Sequence, residues 1–396
     1  MFKVGFDVSA LDESFKEHAQ RGIGRYVREV RTKIQAVESS TVQVVEFDHR
    51  TFVPDGLVER VPLGKATLKQ QVIFPTRLWL KGSSTFDAFH FTAHMDAPSW
   101  CRVPYLLTVL DLIPLVCEDL YKADRPNWRF HLARWLEKKA IQNASMILAI
   151  SENTARDVER ILEIPSDNIR VTPLGVDEQF FEVAPPGDES AFRQKYSIPL
   201  ERPIVLYVGG IDQRKNYWTL ITAFAQLKEH CVAASLPEPV LVMAGRIQRD
   251  RQFPKLVRCI EEAGVTADVV MPGFVPDEDL LPLYAIASVF CFLSLYEGFG
   301  LPVLEAMAAG TPVVASNTSS IPEVIADVGV AVDPESADAA SEAMYQVLSK
   351  PELARSLSEA GREQARQYTW ANTAQKTLAA YEEFAERHSG RRVVNA

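Results

Sequence analysis

"EGFGLPVLEAMAAGTPVVAS", residues 297–316, follows directly on the apolar run "SVFCFLSLY", residues 288–296. The pair reads as a buried strand ending near Tyr296, a turn at Glu297-Gly298-Phe299-Gly300 and a helix to about Ala309. Pro302 fits the first helical position, where a missing N–H costs nothing, Gly310 suits a left-handed exit, and Pro312 blocks continuation. In that geometry the amides of Phe299, Gly300 and Leu301 converge at a helix N-terminus, whose dipole favours an anion such as phosphate. Glycine lets the backbone approach it closely. Glu297 stands at the mouth of the turn and Glu305 lies eight positions on, inside the helix. An ionised carboxylate only accepts hydrogen bonds, so its best neutral partner is a pair of vicinal hydroxyls. A sugar and a ribose joined by a diphosphate offer two diols with anions between them. The segment is therefore shaped for a nucleotide-sugar. The competing reading is a structural turn with Glu305 on a solvated face.

Outward from this segment, short apolar runs alternate with helix-length amphipathic stretches. The first half carries "FKVGFDVSA", "VQVVEFD", "FDAFHF", "YLLTVLD" and "SMILAIS". The second carries "PIVLYVGG", "VLVMAG", "DVVMPG", "SVFCFLS", "TPVVAS" and "GVAVD". Continuous β-branched runs between helices predict parallel strands covered on both faces. The pattern occurs twice, which predicts an α/β fold of two doubly wound, Rossmann-like domains. The polar, proline-rich "APPGDES" (184–190) marks the boundary, giving domains 1–183 and 184–368. A tail, 369–396, is helical from about Thr369, with Trp370, Leu378, Tyr381 and Phe384 apolar. Ligands of such sheets sit beyond the carboxyl ends of the strands. Two such domains facing each other would place the site in the cleft between them.

A chain of 396 residues is too long for one ordinary core. With 42 basic against 52 acidic residues and a net charge of −10, it lacks the basic face of a dedicated nucleic-acid binder, and no nucleic acid is expected as a partner. Cysteines at 101, 117, 231, 259 and 291 form no C-x-x-C pair, which suggests neither zinc nor redox chemistry and suits a reducing, cytoplasmic setting. No charged leader precedes a long apolar run at the N-terminus, and no stretch is apolar for eighteen residues. Any membrane role is then peripheral, on the inner face of the cytoplasmic membrane.

Several motifs together carry a family resemblance. "EGFGLPVLEAMAAGTPVVAS" resembles the E-x7-E segment of glycosyltransferase family 4, retaining enzymes of the GT-B fold. "RGIGRYVREV" (21–30) is similar to that family's N-terminal glycine loop and helix, "AISENTARDV" and "VTPLGVD" to its first-domain exit, and "VGGIDQRKN" and "MAGR" to its donor-domain signatures. The resemblance implies two domains facing across a cleft, with the last helix returning to the first. It implies that Glu297 contacts the donor-sugar hydroxyls and Glu305 the ribose diol. Arg246 would lie near the nucleotide, and the Gly22–Gly24 loop would approach the donor phosphate.

Arg214 and Lys215 fall at the turn after "LYVGG", where fixed cations would stabilise charge developing on a departing diphosphate. Cations at a helix start oppose the dipole, so a bound anion explains them better than solvent does. Many relatives carry an arginine where this chain has Gly210, which shifts the load to Arg214, Lys215 and Arg246. Phe274 and Val275 either pack on the base or belong to the core. "DED" (277–279) looks like a metal-binding D-x-D, but it follows Pro276 and opens a helix, where acids are favoured. No catalytic metal or other cofactor is expected. "TVLDLIPL" has Leu110 where relatives often have histidine, and Asp111, His90 or His94 would cover that contact. The basic, aromatic stretches 68–82 and 122–142 are candidates for peripheral membrane contact.

The resemblance implies a retaining hexosyltransferase that uses a nucleotide-diphosphate sugar and a saccharide or lipid-linked saccharide acceptor. The "RKN" and "DLIPL" forms look most like bacterial mannosyltransferases of polysaccharide assembly, which implies GDP-mannose as donor. The alternatives are a UDP-sugar donor, a sugar-nucleotide epimerase, and a non-catalytic nucleotide-sugar-binding protein.

Overall fold

In a computed structural model of the protein, residues 1–11, 22–37, 39–48, 69–76, 86–117, 119–120 and 128–389 are described. The chain divides into two compact units. One is Met1–Gly175 together with Trp370–Ala396, and the other is Val176–Thr369.

The first unit carries strands β1 (Phe2–Asp7), β2 (Val42–Phe47), β3 (Ala88–Phe91), β4 (Tyr105–Val109), β5 (Met146–Ala149) and β6 (Ile169–Val171). They form one parallel sheet in the order β2-β1-β3-β4-β5-β6. β3, β4 and β5 are buried at every position, which is why they appear in the sequence as unbroken apolar runs. The described helices of this unit include α1 (Gly22–Gln35), α2 (Trp128–Gln142) and α3 (Glu152–Leu162). Ser151 starts α3 by accepting the Thr154 amide. Phe47, Phe74, Phe86, Phe89 and Phe91 fill the core on one side of the sheet.

The second unit carries β7 (Ile204–Val208), β8 (Val240–Ala244), β9 (Val269–Gly273), β10 (Val289–Phe292), β11 (Val313–Ser316) and β12 (Val330–Val332). Its helices are α4 (Glu189–Lys195), α5 (Tyr217–Ala233), α6 (Phe253–Glu262), α7 (Asp277–Ile286), α8 (Leu301–Ala309), α9 (Ile321–Ile325), α10 (Ala337–Ser349) and α11 (Pro351–Ala365). The sheet is again parallel, in the order β12-β11-β10-β7-β8-β9. Strand order reverses between β7 and β10, where Val289 is in register with Val205. Loops leaving the carboxyl ends of these two strands therefore diverge and open a crevice.

Two features differ from the sequence reading. β6 was not anticipated, because it is three residues long and has Arg170 at its centre. "APPGDES" ends as a helix start: Asp188 caps α4 by accepting the Ala191 amide at 2.9 Å. The chain passes between units instead at Gly175/Val176 and Thr369/Trp370. There Val176 pairs with Thr369 in a parallel bridge, and the Val176 amide donates to Tyr368 O at 3.0 Å.

The last helix, α12 (Trp370–Ser389), packs on the first unit. Trp370, Leu378, Tyr381 and Phe384 are all buried, as their spacing predicts. Phe384 meets Phe2 edge-on at 6.2 Å, and Glu383 accepts from Arg170 at 2.7 Å.

Candidate functional site

β7 and β10 are parallel neighbours, so the segments that follow them leave the sheet on the same edge. After β7 comes a 3-10 turn, Gln213–Lys215, closed by Asn216 in the left-handed conformation (φ 53°). After β10 the chain runs to Glu297. Three charged groups meet there. Glu297 Oε1 lies 2.5 Å from Lys215 Nζ and 2.7 Å from Arg214 Nη1. Arg214 also donates to Tyr296 O at 3.0 Å, and its own carbonyl accepts the Leu295 amide at 2.7 Å. The Lys215 ammonium sits 4.7 Å from the centre of the Phe292 ring. Glu297 and Lys215 are 8% and 9% exposed, so water screens this pair poorly.

Burial pushes the Glu297 carboxyl up, but the Arg214 and Lys215 charges outweigh it and hold the group down at about 2. Burial also lowers the Lys215 ammonium, to about 8, against the opposing pull of Glu297. The cluster is thus ionised at neutral pH, with Lys215 close to its titration point.

The glycine loop leads from this cluster into α8. Gly300 is left-handed (φ 107°), and a Cβ there would lie 2.6 Å from Ile321 Cδ1. Leu301 is the first helical residue and Pro302 the second, one place later than the sequence reading set it. The proline N–H would still have had no intrahelical acceptor. The first intrahelical bonds run from Val303 and Leu304 to Gly300 O, at 3.0 and 3.2 Å. The amides of Phe299, Gly300 and Leu301 precede them at the positive end of the dipole. Ser320 Oγ stands 3.0 and 2.9 Å from the carbonyl oxygens of Glu297 and Phe299, and Ser319 Oγ accepts the Glu297 amide at 3.0 Å. The loop is therefore fastened from behind. Glu305 lies in the buried stretch of α8, 6% exposed, and accepts from Tyr284 Oη at 3.1 Å.

Two more strand exits adjoin this edge. The Gly209 amide donates to Ala244 O and the Gly245 amide to Gly273 O, each at 2.9 Å. A Cβ on Gly245 would fall 2.1 Å from Gly209 O, so only glycine allows this approach. Arg246 follows, its guanidinium 4.9 Å from the Phe274 ring centre. Phe274 is 61% exposed while Val275 is buried, which separates the two candidate base contacts. Phe274 presents a ring face, and Val275 belongs to the core. Gly210 is open: a Cβ there meets nothing within 4 Å.

The first-unit candidates divide as well. Gly22 and Gly24 lie inside the first turn of α1, not in a loop before it, and Arg21 is outside the described residues. Asp111 follows β4, is half-buried, and accepts the Ile113 amide at 3.1 Å. His90 is fully buried between Tyr381 Oη (2.6 Å) and Thr108 Oγ1 (2.8 Å). Burial lowers its pKa to about 3, so it stays neutral. His94 faces Glu137 at 2.9 Å, and the Leu110 amide points at its other nitrogen at 3.4 Å. Both imidazoles are thus engaged inside the fold, and Asp111 is the group left nearest solvent. Among the described residues no group of three or more His, Cys, Asp or Glu could hold a metal ion. Asp279 of the "DED" run accepts from Lys195 at 2.5 Å in the first turn of α7.

The chain matches two family profiles, "Glycosyltransferase Family 4" over residues 21–180 and "Glycosyl transferases group 1" over 188–364. It is 32% identical over 277 residues to the O-antigen chain mannosyltransferase B of Escherichia coli, covering 69% of each chain. The chain is a family 4 glycosyltransferase. This glycosyltransferase is also 32% identical to the serotype-specific mannosyltransferase WbdA of Escherichia coli, but it spans only 32% of WbdA's length. Solved structures similar to it include sucrose-phosphate synthase from Thermosynechococcus elongatus (TM-score 0.71, 22% identity, 97% and 99% of the two chains). Another is Anabaena HepE in complex with UDP and glucose (TM-score 0.69, 16% identity, 97% and 100%). These likenesses establish the GT-B fold.

Residues that reading the sequence missed hold the glycosyltransferase's charged cluster in place. Asn216 Nδ2 donates to Leu293 O at 3.1 Å and Pro334 O at 2.5 Å, and Asn216 Oδ1 accepts from Thr219 at 2.8 Å. Asn216 thereby fastens the Arg214–Lys215 turn to the β10 exit. Its place after "RK" was visible, but its partners are 77 and 118 residues away in sequence. Ser320 had no signal of its own. Together these contacts fix two cations, a carboxylate and a helix N-terminus relative to one another.

Proposed function

We propose that this glycosyltransferase transfers mannose from GDP-mannose to an acceptor hydroxyl in bacterial polysaccharide, lipopolysaccharide or glycolipid synthesis, with the anomeric configuration kept. The acceptor is a saccharide or a lipid-linked saccharide, and the reaction takes place on the cytoplasmic side. The observation that carries the reading is Glu297 buried between Arg214 and Lys215, at the point where strand order reverses. The donor diphosphate lies over the amides of Phe299, Gly300 and Leu301, within reach of both cations. The bond between the anomeric carbon and the diphosphate oxygen breaks, and the new bond to the acceptor oxygen forms on the same face. The acceptor's proton passes to the departing phosphate. Arg214, Lys215 and the helix N-terminus stabilise the charge that builds on it. Glu297 orients the sugar hydroxyls, and Asp111 makes the contact left open by Leu110.

Glu305 takes the ribose diol, Arg246 and Gly210 lie along the nucleotide, and the base stacks on Phe274. Gly22 and Gly24 are assigned to the donor phosphate on the family resemblance of "RGIGRYVREV". The mannose assignment is supported by the O-antigen mannosyltransferase similarity, and GDP is the nucleotide that the resemblance of "RKN" and "DLIPL" to bacterial mannosyltransferases implies. A thermal-shift series with GDP, UDP, ADP and dTDP tests the base. A ligand at a hundred times its Kd stabilises by about 2.7 kcal/mol. NMR of the product formed from GDP-mannose then tests the configuration. A shift with UDP alone overturns the donor assignment, and an inverted product overturns the mechanism.

A further inference from the structure

We propose that His94 is a positioning residue for the transfer reaction: it holds the β4 exit, and with it Asp111, through the Leu110 main chain. The inference rests on the reading of Asp111 as a donor-sugar contact. β4 ends with Val109 in register with Ala149, so the buried Leu110 amide lies beyond the sheet ladder and needs another acceptor. It finds His94 Nδ1 at 3.4 Å, in the 3-10 turn His94–Asp96 that follows β3. The Leu110 side chain is buried and apolar, and offers no polar contact of its own. Asp111 comes next, half-buried, and its Oδ1 accepts the Ile113 amide at 3.1 Å. Asp111 is thus held from two sides, by its own bond to Ile113 and by the imidazole one residue before it. His94 is 2% exposed with both nitrogens engaged, so it acts through the chain and does not touch the donor.

Nδ1 can accept only while the ring proton sits on Nε2. The inner face of α2 keeps it there. Nε2 donates to Glu137 Oε1 at 2.9 Å, and Arg134 Nη1 lies 2.5 Å from Glu137 Oε2. A buried carboxylate that only accepts selects this tautomer, and the guanidinium keeps the carboxylate ionised. Of the basic, aromatic stretches 68–82 and 122–142, residues 68, 77–82 and 122–127 lie outside the described residues, and α2 is the described part of the second. A second proton on the ring undoes the arrangement. Nδ1–H would then face the Leu110 N–H, donor against donor, and the hold on the β4 exit is lost. The charged groups facing His94 are Glu137 and Arg134 from α2 and Asp111 from the β4 exit. Burial works against that second proton. The hydrogen bond and charge of Glu137, aided by Asp111 and opposed by Arg134, outweigh burial and raise the imidazole above its ordinary 6.5. The ring is therefore charged below 6.5, and the hold on Leu110 forms as pH rises past that value.

The test is release of GDP from GDP-mannose by the full chain at saturating donor, followed between about pH 6 and 8. Turnover of the wild type falls as pH drops through the His94 titration. His94→Ala lowers turnover by about tenfold to a hundredfold, because Asp111 is displaced, and leaves the Kd for GDP unchanged, because GDP carries no sugar. His94→Asn places a side-chain oxygen that does not titrate under the Leu110 amide. It recovers most of the turnover lost in His94→Ala and removes the fall toward acid pH. The double variant His94→Ala with Asp111→Asn is no slower than Asp111→Asn alone. Wild-type turnover in His94→Ala, an unchanged pH profile in His94→Asn, or additive losses in the double variant each overturn the role of His94 and leave that of Asp111 standing. Full turnover in Asp111→Asn overturns both.

Discussion

Glu297 neutralises two cations through one oxygen, so replacing it does two separable things. Glu297→Ala takes the nearest counter-charge from the buried Lys215 and leaves Asp212, 3.8 Å from Arg214, as the remaining carboxylate of the turn, which costs about 3–5 kcal/mol and is measured by urea unfolding. Glu297→Gln keeps the shape, and under the proposed role turnover falls by roughly a hundredfold or more, because the charge assigned to the donor sugar is gone. The acid dependence follows from the depressed carboxyl. With the folded group at about 2, below its ordinary value of 4.5, its stabilisation is full above pH 4.5 and is lost as pH falls toward 2. Glu297→Gln should flatten that part of the stability profile, and an unchanged acid limb would refute the assignment. Lys215 acts at the other end of the range. A diphosphate favours its ammonium form, so above pH 8 binding must take up a proton. GDP affinity then falls as pH rises past 8, by up to about tenfold per unit, and Lys215→Arg abolishes the dependence. Glu297, Arg214 and Lys215 were legible because their spacing around glycine turns resembles a family pattern. Asn216 was not, because its purpose lies in carbonyls far along the chain.

At the scale of elements, two glycines test how the strand exits are built. Gly300→Ala places a side chain at φ 107° and presses on Ile321 Cδ1, the movable end of a side chain. The penalty is mainly backbone strain, about 1–3 kcal/mol, with a larger loss of GDP affinity because the loop amides shift. Gly245→Ala meets the Gly209 carbonyl oxygen at 2.1 Å, and backbone cannot rotate aside. It should therefore lower the melting temperature more than Gly300→Ala does, and the reverse ranking would refute this account of the β7–β8 contact. The sequence announced elements where burial was two-sided and continuous, as in "YLLTV" and "VLVMA". It was silent at β6, where Arg170 interrupts a three-residue strand and turns outward to Glu383. It misplaced the entry of α1, since two glycines before "RYVREV" read as a turn and yet form the helix's first turn. Glycine's conformational freedom permits either outcome, and only the surrounding packing selects one.

For the whole molecule, chain order and structural units do not coincide. The chain leaves the first unit at Gly175 and re-enters it at Trp370, so the final helix completes a core begun nearly 400 residues earlier. The sequence could show that the tail is helical and apolar on one side. The core that receives it rests on contacts such as Tyr381 with His90 and Phe384 with Phe2, which no local pattern encodes. A chain ending at Thr369 should therefore lose the first unit's cooperative unfolding, because His90, fully buried, loses one of its two hydrogen-bond partners and an apolar face opens to water. The second unit keeps Arg214, Lys215, Glu297 and Gly300 within one uninterrupted stretch, Val176–Thr369. Calorimetry of the shortened chain should thus retain one transition, and saturating GDP should still raise it. If the ligand-responsive transition disappears while the other remains, the donor site depends on the first unit, and the assignment of the nucleotide to the crevice beside β7 and β10 fails.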